Sequence, residues 1–301
     1  MSPAPAGPGD AAARATRLAA LALVFNAFTW GVSWWPFREL QAIGLHPLWV
    51  TAVAYGAAAL LLAARRPRAI AECVRTPALW VLVLAAGTTN ATFNWAVTAG
   101  DVVRVVLLFY LMPLWAVLLA RPLLGERLDG RALSRLGLAL AGALVVLWPT
   151  GGGWPLPRDL PDFLALVGGV SFALNNVMLR REAHRSEDAR ALAMFSGGAL
   201  VALVFALVAA PSPAGVDSAR WLWPVGPAVA ALSLWFLASN LSLQYGAARL
   251  AAHATAVIML TEVFFAAGSA IALGAAVLEP KVLMGGALII AAAALAARRE
   301  S

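Results

Sequence analysis

PLWAVLLARPLLGERLDGRALSRLG, residues 113–137, lies without a gap over EVFFAAGSAIALGAAVLEPKVLMGG, residues 262–286, at an offset of 149. Gly125 falls on Gly274 and Gly137 on Gly286. The end of the first apolar segment, WGVSWWPFRE from Trp30, lies over FALNNVMLRR from Phe172 at a slightly smaller offset. Apolar helices resemble one another by composition, so neither match decides anything singly. Together they divide the chain into two similar halves.

Composition says what the halves are made of. Of 301 residues, 62% are hydrophobic and 12% charged, with a mean hydropathy of +0.81, where an ordinary globular domain is about 25% charged. Windows of about 20 apolar residues, the length of a membrane-spanning helix, recur near 18–37, 47–64, 78–98, 103–121, 134–149, 161–179, 191–210, 222–243, 252–273 and 280–297. Lipid offers the backbone no partner, and the alternating strands of a barrel are absent, so each span is expected to be a helix. Five spans per half is an odd number, so the halves sit in opposite orientations. The expected fold is an all-α integral membrane protein with ten transmembrane helices as two inverted five-helix repeats. Residues 1–17 are expected to form a disordered cytoplasmic tail, 18–150 the first half, 151–160 an outer connecting loop, and 161–298 the second half. The first apolar segment is too long for a cleaved signal peptide and is taken as a span.

The net charge of +7 would suggest nucleic acid in a soluble chain, but here the basic residues lie in short loops between apolar segments. With the N-terminus in the cytoplasm, 17 of the 22 basic residues fall on the cytoplasmic side, and Arg38, Arg104, Arg158, Arg220 and Lys281 on the other. That bias predicts both termini inside a cell (inner) membrane. Trp34, Trp35, Trp49, Trp148, Trp154, Trp221 and Trp223 fall near the outer boundary, as an interfacial belt would. The single Cys73 makes no internal disulfide, and His46, His184 and His253 lack metal-ligand spacing, so no metal and no cofactor are expected. The chain has no Walker lysine: Gly151-Gly152-Gly153 follows a helix, not a strand, and is no phosphate loop.

Against this background Glu262 stands out, a carboxylate in the middle of HATAVIMLTEVFFAAGSA (253–270). Such a residue costs at least about 2.5 kcal/mol on insertion scales and is functional by default. Seven-residue spacing puts Thr255, Glu262 and Ser269 on one stripe. Other helices offer Asn90, Asn94 and Asp101; Ser233, Asn240 and Gln244; Asn26, Trp30 and Ser33; and Ser171, Asn175 and Asn176. Two readings stand for each amide: a lining group of a midplane cavity, or a hydrogen bond joining helices. Pro113 removes a donor and frees the carbonyl of Phe109 beside Tyr110, marking a hinge or a packing kink. Arg104 and Asp101 form either an outer gate pair or an ion pair at the headgroups.

The first half also resembles a known family. TWG at 29–31, HPLWVTAVAYG entering the second span, and LLFYLMPLWAVLLARPLLGERL with its Pro113 and Gly125-Glu126-Arg127 are similar to the EamA-type half-domain of the drug/metabolite transporter superfamily. The second half departs from that pattern: Ala275 and Ala276 replace the Glu-Arg pair, and Glu262 stands where the proline would be. The resemblance implies a ten-helix bundle with both termini inside that moves small metabolites, often outward.

The combined expectation is a secondary transporter, not an enzyme, exporting small metabolites such as amino acids or amphipathic compounds by alternating access. Asn26, Trp30, Asn90, Asn94, Tyr110, Asn240 and Glu262 are the candidate substrate-binding residues, and Glu262, Pro113, Arg104 and Asp101 the candidates for coupling or gating. Its partners would be a small-molecule substrate, the lipid bilayer and, at Glu262, protons; nucleic acid is not among them. The alternatives are a lipid or nucleotide-sugar carrier on the same fold, and a non-transporting membrane scaffold. Phosphate recognition would need cations deep in the cavity, and the spans offer none there.

Overall fold

The structure is a computed structural model that describes residues 8–125, 130–148, 156–211, 218–247, 249–250, 258–259, 261–277 and 279–297. Every regular element among them is a helix. The N-terminal part contains α1 (Pro8–Val32), α2 (Trp34–Ala42), α3 (Pro47–Arg65), α4 (Pro67–Arg75), α5 (Pro77–Ala99), α6 (Val102–Phe109), α7 (Met112–Leu124) and α8 (Gly130–Leu147). The C-terminal part contains α9 (Leu160–Arg181), α10 (Glu187–Ala209), α11 (Ser218–Ala247), α12 (Thr261–Ala272) and α13 (Pro280–Ala297). The tail 1–7, the loop 151–155 with its three glycines, Glu126 and Arg127, His253 and Thr255 lie outside the described residues.

Local sequence explains where the helices begin. Proline opens α3, α4, α5 and α13, where its missing N–H costs nothing. Side chains cap others: Asp101 accepts from the Arg104 N–H at the start of α6, Asp159 from the Asp162 N–H on α9, and Ser186 from the Ala189 N–H on α10. Gly125 ends α7 with φ +72°, and Gly274 follows α12 with φ +67°. Both take the left-handed conformation that glycine adopts without penalty at a helix C-terminus.

Six described helical stretches are long and apolar enough to cross a membrane: Arg14–Ala42, Pro47–Arg65, Val102–Leu124, Leu160–Arg181, Glu187–Ala209 and Gly226–Leu243. A seventh follows if α4 and α5, bent by 101°, are counted as one. The chain is thus a multi-pass membrane protein. The remaining predicted spans coincide with α8 and with the shorter apolar helices Thr261–Ala272 and Pro280–Ala292, so the count of ten goes beyond what length and apolarity establish.

The fourth predicted span is not one straight helix. It breaks at Tyr110 and Leu111, one turn before Pro113, where the α-helical ladder gives way to a tighter Leu111 N–H to Leu108 carbonyl bond of 3.2 Å. The carbonyl of Phe109 is not left open. It packs against α9, where a methyl on Gly169 would come within 2.8 Å of it.

Helices approach closely where both carry glycine, the usual device for packing in lipid. A methyl at Gly142 of α8 would lie 2.7 Å from the Gly285 carbonyl of α13, and one at Gly285 would lie 2.7 Å from the Gly142 carbonyl. A methyl at Gly87 of α5 would collide with the Gly197 carbonyl of α10, and one at Gly197 with the Val83 carbonyl one turn earlier on α5. Further, α1 packs along α11 and α12, α9 along α5, α6 and α7, and α3 along α10 and α11.

Candidate functional site

Glu262 is the first residue after Thr261 at the start of α12 and is only 6% exposed. Its Oε2 is 2.9 Å from the hydroxyl of Tyr110, which lies at the break between α6 and α7. The same hydroxyl is 2.9 Å from the carbonyl oxygen of Met259. A phenol has one proton to donate, so two acceptors share it. On the other side of Glu262 lies Gly31 of α1: a methyl there would sit 2.8 Å from the Glu262 carbonyl and 2.6 Å from the Phe265 Cβ. The carboxylate is therefore enclosed between the first, fourth and ninth predicted spans.

Ser269, two turns further on, joins the same seam. Its hydroxyl accepts from the indole N–H of Trp34 at 2.9 Å. Trp34 is 3% exposed and so leaves the interfacial belt for the interior, whereas Trp35 and Trp148, 48% and 56% exposed, stay on the surface.

Aromatic rings lead from this carboxylate across the bundle. Tyr110 meets Phe109 at 6.2 Å between centroids, Phe109 meets Phe93 at 4.7 Å, Phe93 meets Trp30 edge-on at 6.1 Å, and Trp30 stacks on Phe236 at 5.2 Å. These separations are those of favourable aromatic pairs. Trp30 is partly buried and packs against two core clusters at once, one around Tyr110 and one around Phe37, Tyr55 and Phe236. Of the predicted site residues, Trp30, Tyr110 and Glu262 thus lie along one connected path.

The amides are placed differently. Asn26 donates to the Ser239 carbonyl at 2.9 Å and to its hydroxyl at 2.7 Å, tying α1 to α11. Trp235 strengthens that seam with a 2.7 Å bond to Thr29. Asn94 donates to Thr51 of α3 at 3.0 Å. Asn90 donates to the Ala86 carbonyl at 2.7 Å and accepts from the buried Tyr55 hydroxyl. Asn240 is buried on α11, next to the seam held by Ser239. The Oδ1 atoms of Asn26, Asn94 and Asn175 are buried without a partner among the described residues. The amide nitrogens of Asn26 and Asn94 are committed to joining helices and that of Asn90 to its own helix, while the unpartnered oxygens keep unused accepting capacity.

At the start of α6 the structure re-pairs Arg104. Sequence proximity suggested Asp101, but Asp101 spends its carboxylate capping α6. The Arg104 guanidinium instead grips Asp162 of α9 with two bonds, Nε to Oδ1 and Nη2 to Oδ2, each 2.8 Å. Its Nη1 donates to the Val146 carbonyl at the end of α8, also at 2.8 Å. One side chain so binds three helices. Asp162 is 2% exposed at its side chain, and Arg104 16%. Asp162 could have been found in the sequence as an acid just inside the predicted boundary of the sixth span. Phe93, Phe109, Phe236 and Ser239 carried no such signal.

A solved crystal structure shares the fold, with 96% of this chain and 98% of that chain covered at TM-score 0.57 and 22% identity. No curated protein matches. Residues 17–148, from α1 to the end of α8, match the EamA-like transporter family. That stretch is thus similar to the EamA-like transporter family, which belongs to the drug/metabolite transporter superfamily. The similarity of this stretch, together with the apolar helices, suggests a membrane transporter acting on a small molecule within a lipid bilayer. Tyr110, Arg104 and the aromatic path from Trp30 to Phe109 belong to the EamA-like stretch, whereas Glu262 and Asp162 come from the part beyond it.

Proposed function

We propose that this protein is a secondary transporter that exports small amphipathic metabolites, amino acids among them, by alternating access of two inverted five-helix halves. Both termini lie in the cytoplasm. One observation carries this reading: Tyr110 bonds to Met259, the residue 149 positions on, which is its own counterpart at the repeat offset. Counterparts that touch lie on the axis relating two copies. In an inverted repeat that axis runs in the membrane plane, at the midplane where substrate sites of such transporters lie.

Other features support the same axis. Exchanging the first five spans for the last five carries several of the main helix contacts onto one another: α1 on α11 and α12 becomes α9 on α5 and on α6 and α7. Contacts of α3 with α10, α6 with α12 and α8 with α13 map onto themselves. Met112 and Thr261, which open α7 and α12, are also 149 apart.

On this reading Glu262 is the working carboxylate. When it is ionised, Tyr110 donates to it. When it carries a proton, its own hydroxyl donates to the Tyr110 oxygen, and Tyr110 turns its proton to Met259, so Glu262 and Tyr110 stay hydrogen-bonded to each other in both states. A substrate ammonium takes the place of that proton, while Trp30 and Phe93 offer its apolar part a wall. Arg104 and Asp162 form the outer gate, because an opening between α6 and α9 must part them. Asp101 assists by holding the start of α6, and the break ahead of Pro113 is the hinge.

The test is uptake of amino acids and amphipathic metabolites into proteoliposomes, with and without a pH gradient, comparing wild type with Glu262→Gln. The variant is expected to lose at least tenfold in flux or to lose its pH dependence. Equal flux with equal pH dependence would make Glu262 a purely structural residue.

A further inference from the structure

Helix α4, Pro67–Arg75, lies at 101° to α5 and so runs nearly across the direction of the spans. Its nine residues divide among three faces. Ala69 and Cys73, four apart, are buried and pack with Leu79, Leu82, Met178 and Leu192 against the bundle. Ile70 and Val74, also four apart, are 43% and 58% exposed. Arg68, Glu72 and Arg75 make the third stripe. Trp80 on the first turn of α5 continues the exposed apolar face: it is 47% exposed, and its indole N–H donates to the Val74 carbonyl at 3.3 Å.

The helix is also pinned in place. Glu72 accepts the Ser186 hydroxyl at 2.6 Å and the Ser186 N–H at 3.2 Å. Ser186 caps α10, so α4 is fastened to the start of that helix. Arg66 pairs with Asp188 on the first turn of α10 at 3.4 Å. Arg65, Arg68 and Arg75 remain exposed around the apolar face.

We propose that α4 is a membrane-surface helix that docks on the anionic phospholipid headgroups of the cytoplasm-facing leaflet. Its apolar stripe enters the boundary between headgroups and acyl chains, where Trp80 sits as an interfacial anchor. The arginines reach the phosphates, since basic residues beside a membrane segment are attracted to anionic lipid. A span continuing through α4 would bury Arg68 and Arg75 in hydrocarbon, and a helix standing off in water would expose Ile70, Val74 and Trp80. The choice of leaflet rests on the orientation proposed above; the docking itself does not.

The experiment uses the full chain with Cys73→Ala, spin-labelled at position 74 or at position 75, in nanodiscs of phosphatidylcholine and phosphatidylglycerol. The label at 74 is expected to collide with oxygen at the depth of the headgroup boundary, and the label at 75 with an aqueous nickel complex. Water contact at both positions, or deep burial of both, would overturn docking. In mixed micelles of the two lipids, the protein without substitution is expected to retain phosphatidylglycerol in excess. The combined Arg65→Gln, Arg68→Gln and Arg75→Gln variant is expected to lose that excess several-fold with an unchanged thermal midpoint in detergent. Equal retention of both lipids, or an excess that survives the triple substitution, would overturn the recognition of anionic headgroups. An impermeant reductant added to one side of sealed vesicles reads the leaflet. Protection on the cytoplasmic side would overturn the orientation while leaving docking intact.

Discussion

The two ends of the bundle are held together by different chemistry. At the end where α6 begins, Arg104 clamps Asp162 and the last turn of α8 with three 2.8 Å bonds, in a setting where Asp162 is almost fully buried. Arg38 does similar work nearby. Its Nε donates to the Thr98 carbonyl at 3.1 Å and its Nη2 to the Val97 and Gly100 carbonyls at the end of α5, while its guanidinium lies 4.9 Å from the Trp34 ring centre. At the opposite end, Arg66 and Asp188 are 63% and 47% exposed, while the buried Glu182 gathers the more exposed Arg181 and Arg185 at 3.9 and 3.5 Å. A buried bidentate pair is costly to break because each partner would be left charged and unpaired. Exposed pairs exchange partners with water at little cost. The Arg104–Asp162 clamp therefore resists separation more than the Arg66–Asp188 pair does.

The sharpest way to break that contrast is to remove one partner at each end. Asp162→Ala strands the Arg104 guanidinium and is expected to cost about 3 kcal/mol, read as a fall in the thermal unfolding midpoint in detergent. Asp188→Ala at the opposite end is expected to stay within about 0.5 kcal/mol. Equal losses would mean that the clamp is solvated and that the two ends do not differ.

A smaller effect is expected at Arg38, whose removal leaves terminal carbonyls of α5 without a donor. Arg38→Met keeps the aliphatic stem and should cost about 1.5 kcal/mol, the scale of a charged hydrogen bond. Hydrogen exchange localised to the last turn of α5, around Val97 to Gly100, would separate loss of this cap from global weakening.

The smallest effect belongs to the exposed pair that precedes α13. Lys281 bonds Glu279 at 2.8 Å and holds its carboxyl below the usual carboxylate range. A depressed carboxyl favours the folded state above its unfolded value, about 4.3. That contribution is lost as pH falls through the lower folded value. Lys281→Met should move Glu279 back toward the ordinary value, observable by carbon NMR titration of labelled glutamate. An unmoved titration would show that the pair does not form in solution.

Much of the architecture was legible in the chain, because lipid permits few solutions. Apolar length, the arginine bias and the helix-starting prolines pointed to a helical multi-pass protein, and the 113–137 and 262–286 stretches supplied an offset that recurs in the Tyr110–Met259 contact. Glu262 declared itself through the cost of a carboxylate in a span. The amides were legible only as polar residues on helix faces. Asn26 and Asn94 have the same chemistry whether they face a cavity or a neighbouring helix, and only the placement of Ser239 and Thr51 reveals what their nitrogens do.

What the sequence determined by itself was which segments must be helices in a membrane and which residue is too polar to be there without a purpose. These follow from each residue's transfer from water to lipid, a property of the local chain. Tertiary structure alone decided that Arg104 takes Asp162 and not Asp101, that Trp34 turns inward to Ser269, and that rings from four helices line up between Phe236 and Tyr110. Such pairings depend on which helix faces meet and at what depth. Those relations are set by glycine-mediated close packing between elements far apart in sequence, and no spacing along the chain encodes them.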